Sequence, residues 1–340
     1  MADDLSLALL NDWQHHFPLQ RDPFARIGAA LAVSPARVID AYCGLRASGA
    51  LSRIGGVFAA GAGGAALLSA MAVPADRLEA VAAIVSAHPG VNHNYEREHD
   101  LNLWFVMTGR DAAAVEHAMQ GLEAATGLPA LRLRMRRAYR IDLGFDLRGA
   151  VAPAPRASAA PRLHAPEVAE ADRALAALVE AGLPLVERPF DAWADALATP
   201  PDAVIATLGR WLEVGTLRRF GAVVRHHELG FAANAMTVFD VPDDQVDACG
   251  AALAGEPGVT LAYRRERASG WPFNLYCMVH GRDRGSVVQA LDAAIPRCGL
   301  AERPRTVLFS RRRFKQVGAR RFRELPVAWS PAQEVCDALV

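Results

Sequence analysis

The strongest constraint on this chain is that it is written twice. Pro23-Phe24 returns as Pro189-Phe190, Ser52-Arg53-Ile54-Gly55 as Arg218-Arg219-Phe220-Gly221, and Pro89-Gly90-Val91 as Pro257-Gly258-Val259. Tyr95-Glu96-Arg97 answers Tyr263-Arg264-Arg265, Asn102-Leu103-Trp104 answers Asn274-Leu275-Tyr276, and Gly109-Arg110-Asp111 recurs as Gly281-Arg282-Asp283. The copies stand about 166 to 175 residues apart, so each is domain-sized and neither is a solenoid turn. The halves differ most in their histidines. His93 of the first copy faces Leu261 in the second, and Arg225-His226-His227 of the second faces Ala59-Ala60-Gly61 in the first. Complementary losses of this kind predict a pseudo-dimer within one chain, packed through its sheets around a single composite site. A further homodimer stays open.

Length and composition narrow the classes. With 340 residues and 52% hydrophobic content, each half can bury a core of its own. A formal net charge of zero argues against electrostatically driven binding to nucleic acid or membrane. No apolar run reaches transmembrane length and the acidic start lacks a signal-peptide core, so a cytoplasmic protein is expected. The five cysteines, Cys43, Cys249, Cys277, Cys298 and Cys336, are scattered and lack zinc-ligand spacing, which predicts reduced thiols and no bound metal. Lys315 is the lone lysine among 37 basic side chains, so abundance alone singles out no arginine.

The Ala- and Pro-rich stretch 149–166 reads as a linker between the copies. Before it, residues 1–53 carry helical patterning, with Ser34-Pro35 as a helix start and Gly49 as a stop. Residues 167–217 repeat this, with Thr199-Pro200 opening a helix that ends at Gly215. Short helices followed by Leu51-Ser52-Arg53-Ile54 or Leu217-Arg218-Arg219-Phe220 predict a winged helix-turn-helix. Residues 54–148 and 218–325 then read β-α-β-β-α-β, the ferredoxin-like split unit, and 326–340 form a tail. The expected class is α+β: a tandem repeat of winged helix-turn-helix plus ferredoxin-like βαββαβ sandwich.

A winged helix-turn-helix joined to a βαββαβ domain resembles the Lrp/AsnC family of regulators. More narrowly, Arg218-Arg219-Phe220-Gly221-Ala222 through Arg225-His226, Gly230-Phe231 and Asn234-Ala235-Met236 look like sirohaem decarboxylase of the Lrp/AsnC-like type. So do Val91-Asn92-His93-Asn94-Tyr95-Glu96-Arg97 and Trp271-Pro272-Phe273-Asn274-Leu275-Tyr276, and two such units in one chain resemble the fused NirD–NirL form. The resemblance covers roughly residues 5–145 and 168–323. It implies decarboxylation of sirohaem to 12,18-didecarboxysirohaem in haem d1 biosynthesis, two acetates becoming methyls. No organic cofactor is implied if the macrocycle takes up the developing electron density, and the iron arrives with the substrate.

Period two places His93, Tyr95 and Arg97 on one face of a strand, and Leu261, Tyr263 and Arg265 on the matching face. The first row carries a proton donor, a hydroxyl and an anion clamp, and the second keeps the binding groups but lacks the acid. Histidine suits proton donation near neutral pH, so His93 and His226 are the expected acids or proton shuttles. Planar guanidinium groups suit a carboxylate-rich tetrapyrrole. Arg97, Arg218, Arg219, Arg225 and Arg265 are therefore expected to hold substrate, with Tyr95, Tyr263 and His227 beside them. The remaining histidines read as surface or structural. The competing class is a ligand-responsive transcription regulator, and a third is a tetrapyrrole-binding subunit without activity. The first predicted recognition helix offers Arg37 and Arg46 against Asp40, and the second only Arg210 against Asp202 and Glu213. Such faces read DNA poorly, so no specific nucleic-acid partner is expected.

Overall fold

The computed structural model describes residues 4–141, 165–224 and 233–323. Most of the 149–166 linker, the segment Arg225-His226-His227 and the 326–340 tail lie outside the described residues. In the first half, α1 (Asp4–Asn11), α2 (Pro23–Leu31) and α3 (Pro35–Ala47) lead into β1 (Leu51–Phe58). Then come β2 (Ala65–Met71), α4 (Leu78–Ala87), β3 (Val91–Arg97), β4 (Leu103–Gly109), α5 (Ala112–Thr126) and β5 (Leu131–Ile141). The second half runs α6 (Arg173–Ala181), α7 (Pro189–Leu197), α8 (Pro201–Val214) and β6 (Leu217–Val224). It continues with β7 (Ala233–Phe239), α9 (Val246–Gly255), β8 (Val259–Arg265), β9 (Leu275–Gly281), α10 (Arg284–Arg297) and β10 (Arg305–Gln316).

Local chemistry sets these boundaries. Ser34 Oγ accepts from Arg37 N at 3.2 Å at the start of α3, with Pro35 at the first helical position. Gly49, at φ +83°, takes the left-handed turn after it. Asp111 and Asp283 cap α5 and α10 in the same way, through Ala114 N and Ser286 N. The helix expected to open at Thr199-Pro200 begins at Pro201, because Pro200 is itself extended at ψ 142° and forms the N-cap.

The elements gather into two units, each drawing on both halves: residues 4–63 with 165–224, and residues 64–141 with 233–323. The expected boundaries after 53 and after 217 are corrected here, since they fall inside β1 and β6. Those strands belong with the helices because they pair antiparallel with each other, from Leu51 opposite Val224 to Phe58 opposite Leu217. In this helical unit the two wings therefore form a shared two-stranded ribbon. Phe220 packs against Phe17, Phe190 and Trp193 at ring distances of 5.9 to 6.3 Å. Gly221 lets the backbone of Trp13 and Gln14 lie directly on β6, where any Cβ would collide with their carbonyls.

The second unit is a closed eight-stranded barrel in the order β10-β3-β4-β2-β5-β8-β9-β7. Each half contributes four strands in the ferredoxin-like order, and the sheets join edge to edge through β5·β8 and β10·β3. Closure leaves no strand edge unpaired. Three apolar clusters follow from strand alternation. One packs α4 and α5 on the first sheet, around Val85, Val91, Phe105 and Leu122. Another packs α9 and α10 on the second, around Leu253, Val259, Cys277 and Leu291. The third draws on strands of both halves and on no helix, and so fills the barrel interior: Leu68, Trp104, Leu133, Met236, Tyr263, Tyr276, Met278 and Leu308, with Trp271 beside them.

Candidate functional site

The predicted rows of β3 and β8 both face this interior, and in each case a β-bulge turns them there. Val91 packs among the helices, and Asn94 Nδ2 donates to Ala82 O and Ser86 Oγ on α4. Unbroken alternation would put His93 on the same side as Val91. Pairing with β4 slips between Val91 and His93, inserting Asn92 as an extra residue, and His93, Tyr95 and Arg97 then point inward. The slip recurs between Val259 and Leu261, with Val259 on the helix side and Leu261 and Tyr263 inside.

His93 is half-buried and stacks on Tyr95 with ring centroids 6.3 Å apart. Its Nδ1 lies 3.1 Å from Asn92 Oδ1. Burial, and secondarily the charge of Arg97, push the imidazole down to about 4. His93 is thus neutral at physiological pH. A ring in that state must gain a proton before it can give one.

Arg97 is only 6% exposed, and Arg265 only 8%. Arg97 donates to Leu308 O at 2.9 Å and to Asn234 Oδ1 at 3.4 Å, and lies 5.5 Å from the Tyr95 ring centre. Arg265 donates to Leu133 O at 2.7 Å and sits 4.7 Å over Tyr263 and 5.8 Å from Tyr276. Among the described residues neither has a carboxylate partner, and each leaves a buried Nε without a hydrogen bond. Burial lowers the Arg97 guanidinium to about 10. Holding an uncompensated cation in an apolar interior costs on the order of several kcal/mol. An incoming anion would offset that cost at both positions.

The other predicted residues are distributed differently. Arg219 is buried in the helical unit, donating to Gln14 O at 2.8 Å and Ala222 O at 2.9 Å, so its guanidinium ties the segment after α1 to β6. Arg218 is exposed on the same strand. Arg225, His226 and His227 lie outside the described residues. The arginines of β5 and β10 mostly meet carboxylates: Arg132 with Glu116 and Glu123, Arg136 with Glu266, Arg137 with Asp247, and Arg312 with Glu79 and Glu96. A cavity of about 330 Å³ in the helical unit is lined by Arg46, Leu51, Arg53, Leu178 and Trp193 among others, with no histidine or carboxylate. It offers no acid–base chemistry.

Sequence reasoning missed Asn92 and the aromatic floor of the interior. Trp104 and Trp271 meet at 5.3 Å, and Trp271 Nε1 donates to Tyr276 Oη at 2.8 Å. The repeated Asn102-Leu103-Trp104 and Asn274-Leu275-Tyr276 signalled that floor. Their asparagines prove structural, since Asn102 and Asn274 clamp the backbone of Val73 and Val241.

The AsnC-like ligand binding domain matches residues 61–140 and 228–315, and the "Siroheme decarboxylase NirDL-like HTH domain" matches 172–218. The chain is 43% identical over 322 residues to the sirohaem decarboxylase NirDL subunit of Paracoccus denitrificans, covering 93% of this chain and 97% of that one. It belongs to the sirohaem decarboxylase family. The NirD subunit of Stutzerimonas stutzeri, about half as long, is 48% identical over 145 residues, 43% of this chain and 95% of its own. The crystal structure of the sirohaem decarboxylase NirDL in co-complex with an iron-uroporphyrin III analogue superposes at a TM-score of 0.65 with 26% identity, covering 99% of both chains. Membership makes this chain one of a family of decarboxylating enzymes on an AsnC-like and helix-turn-helix scaffold. No helix among its described residues is long and apolar enough to cross a membrane.

Proposed function

We propose that this chain decarboxylates sirohaem, converting two acetate side chains to methyls to give 12,18-didecarboxysirohaem in haem d1 formation. The observation that carries this reading is the pair of buried guanidinium groups, Arg97 and Arg265, without carboxylate partners among the described residues, in an aromatic-lined interior with the His93 imidazole on the same row as one of them. A tetrapyrrole rich in carboxylates supplies the missing anions, and Tyr95, Tyr263, Tyr276 and Trp104 offer packing for its ring. Each step breaks a carbon–carbon bond to release carbon dioxide and adds one proton to the carbon left behind. It is redox-neutral, and the macrocycle accommodates the developing electron density without an organic cofactor.

A substrate carboxylate beside Arg97 offsets the charge that lowers His93, so the imidazole gains basicity as substrate binds and takes up the proton that the product carbon needs. His226, with Arg225, His227 and Arg218, is the proposed second contributor, in keeping with the complementary loss of histidines between the copies. Anaerobic incubation with sirohaem and mass analysis of the tetrapyrrole is the test: loss of two carbon dioxide units is expected, and unchanged sirohaem would refute the reading.

The regulator alternative fares worse, because the helices that would read DNA offer Arg37 and Arg46 against Asp40, and Arg210 against Asp202 and Glu213. We expect no specific duplex binding. A footprint on its own promoter at physiological salt, resistant to random competitor DNA, would reverse that judgement.

A further inference from the structure

We propose that Asn92 is a positioning residue for His93: it occupies the bulge that turns the ring into the barrel, and its amide fixes which ring nitrogen carries the proton. The inference rests on the proposed decarboxylase reading and deepens it. An amide oxygen can only accept, so the 3.1 Å contact from Asn92 Oδ1 places the hydrogen on His93 Nδ1. A neutral ring then has Nε2 bare. Asn92 is only 6% exposed, and its own carbonyl accepts from Val317 N at 2.8 Å, which pins the bulge from β10. The second half isolates the amide's role. Thr260 occupies the same bulge, but its hydroxyl bonds to Met278 O and the His280 ring, and the next residue is Leu261. The bulge therefore belongs to the fold, while the amide-to-ring contact occurs only where a histidine follows.

The chemical consequence is that one nitrogen performs both halves of proton transfer. Bare Nε2 accepts a proton arriving from water or from the acid form of a substrate carboxyl, and the resulting imidazolium returns it to the carbon that has lost carbon dioxide. Nδ1 stays on Asn92 throughout. Without the amide the ring is free to adopt the other tautomer, whose Nε2 already carries hydrogen and cannot accept. Among the described residues, the groups around the ring are few. On β3 they are Tyr95 and Arg97. On β10 Gln316 pairs opposite His93, Arg313 lies opposite Tyr95, and the Lys315 ammonium is turned away to Ser86 O and His88 O. On β4 the residue opposite is Val106.

The test compares Asn92→Leu, Asn92→Asp and His93→Ala in the full chain, by single-turnover sirohaem decarboxylation across pH and by ¹⁵N spectra of the His93 ring. Asn92→Leu should lower kcat roughly 10-fold with KM nearly unchanged, the usual scale for a partner that orients a functional histidine. Asn92→Asp keeps an acceptor on Nδ1. It should recover most of the rate and move the acid limb of the profile upward, because a carboxylate favours the imidazolium. In the unaltered protein the ring should show hydrogen on Nδ1. A ring with hydrogen on Nε2 overturns the proposal even if Asn92→Leu fails to fold. So does an Asn92→Leu protein within twofold of normal, with an unmoved pH profile, while His93→Ala is inactive. Normal turnover by His93→Ala would overturn the underlying reading and this one together.

Discussion

In the first-half corner of the barrel, His93, Tyr95 and Arg97 follow a bulge at Asn92. In the second, Leu261, Tyr263 and Arg265 follow a bulge at Thr260. Both arginines reach a main-chain carbonyl at the matching place on the strand that crosses from the other half, Leu308 O and Leu133 O. The seams match as well: Lys315 of β10 donates to Ser86 O and His88 O at the end of α4, and Arg140 of β5 donates to Ala254 O and Glu256 O at the end of α9. Cations there satisfy carbonyls that a helix end leaves open. The difference that bears on chemistry is one ring and the amide that holds it. On the proposed reading, anion holding is built into both ends of the interior, and the proton transfer of His93 into one.

The sharpest way to break this comparison is to truncate the two side chains that differ. His93→Ala should lower turnover roughly 100-fold or more, the scale of a lost acid–base group, whereas Leu261→Ala should change it only severalfold. Equal losses in single-turnover assays would erase the distinction. His226→Ala should fall with His93→Ala, and the double variant should be little worse than the worse single, since residues acting as a unit are not additive.

Next in size are the arginines, which the comparison treats as equals. Arg97→Met and Arg265→Met should each weaken sirohaem binding roughly 10- to 100-fold, as expected for lost charge-assisted hydrogen bonds. The melting temperature without ligand should hold or rise, because an uncompensated buried charge is removed. A large drop in melting temperature would mean that these side chains serve the barrel and not a ligand.

A smaller effect concerns acid. Burial pushes both His88 and His93 down to about 4, and the matching residues of the second half are Glu256 and Leu261. Unfolded histidine titrates near 6.5, so between roughly pH 6.5 and 4 the unfolded chain binds more protons than the folded one. The contribution of these rings is complete above that window and is lost as pH falls through it. Hydrogen exchange at pH about 5 should therefore loosen β3 before β8. His88→Asn, whose amide oxygen can still accept from Gly90 N, should reduce the difference.

The smallest test contrasts the seams' ion pairs. Asp247 takes Tyr139 Oη at 2.5 Å and Arg137 at 2.8 Å, and Gly250 leaves room for the Tyr139 ring. Glu79 meets Arg312 and is largely exposed. Asp247→Ala should cost about 1 kcal/mol in denaturant melts, given its partial exposure, and Glu79→Ala should be indistinguishable from the parent. Equal costs would show that the two seams are held alike.

Much of this was legible in the sequence, for physical reasons that also mark where legibility ended. Strand and helix periods revealed the βαββαβ order in both halves, because alternating burial writes itself into residue type. That His93, Tyr95 and Arg97 share one face followed from the same period, but not that the face is the inner one. Asn92 did not, since a bulge is an interruption of the period and leaves no pattern of its own. Nor could the wings be read correctly: Leu51 to Phe58 is a plausible hairpin arm, and only its partner at 217–224 reveals it as a ribbon between halves. Arg219 beside Arg218 shows the limit of adjacency, because alternation on β6 buries one and exposes the other.

The edge-to-edge closure of the barrel has a consequence for stoichiometry. The joining edges, β3 with β10 and β8 with β5, carry the same slips in register and the same buried arginine, so little in their backbone tells one half from another. Two first halves closing on each other would make a barrel with a histidine in both corners, and two second halves a barrel with none. Tethering one of each in a single polypeptide fixes the ratio at the level of translation: a first half finds a second half at high local concentration before it meets another of its own kind.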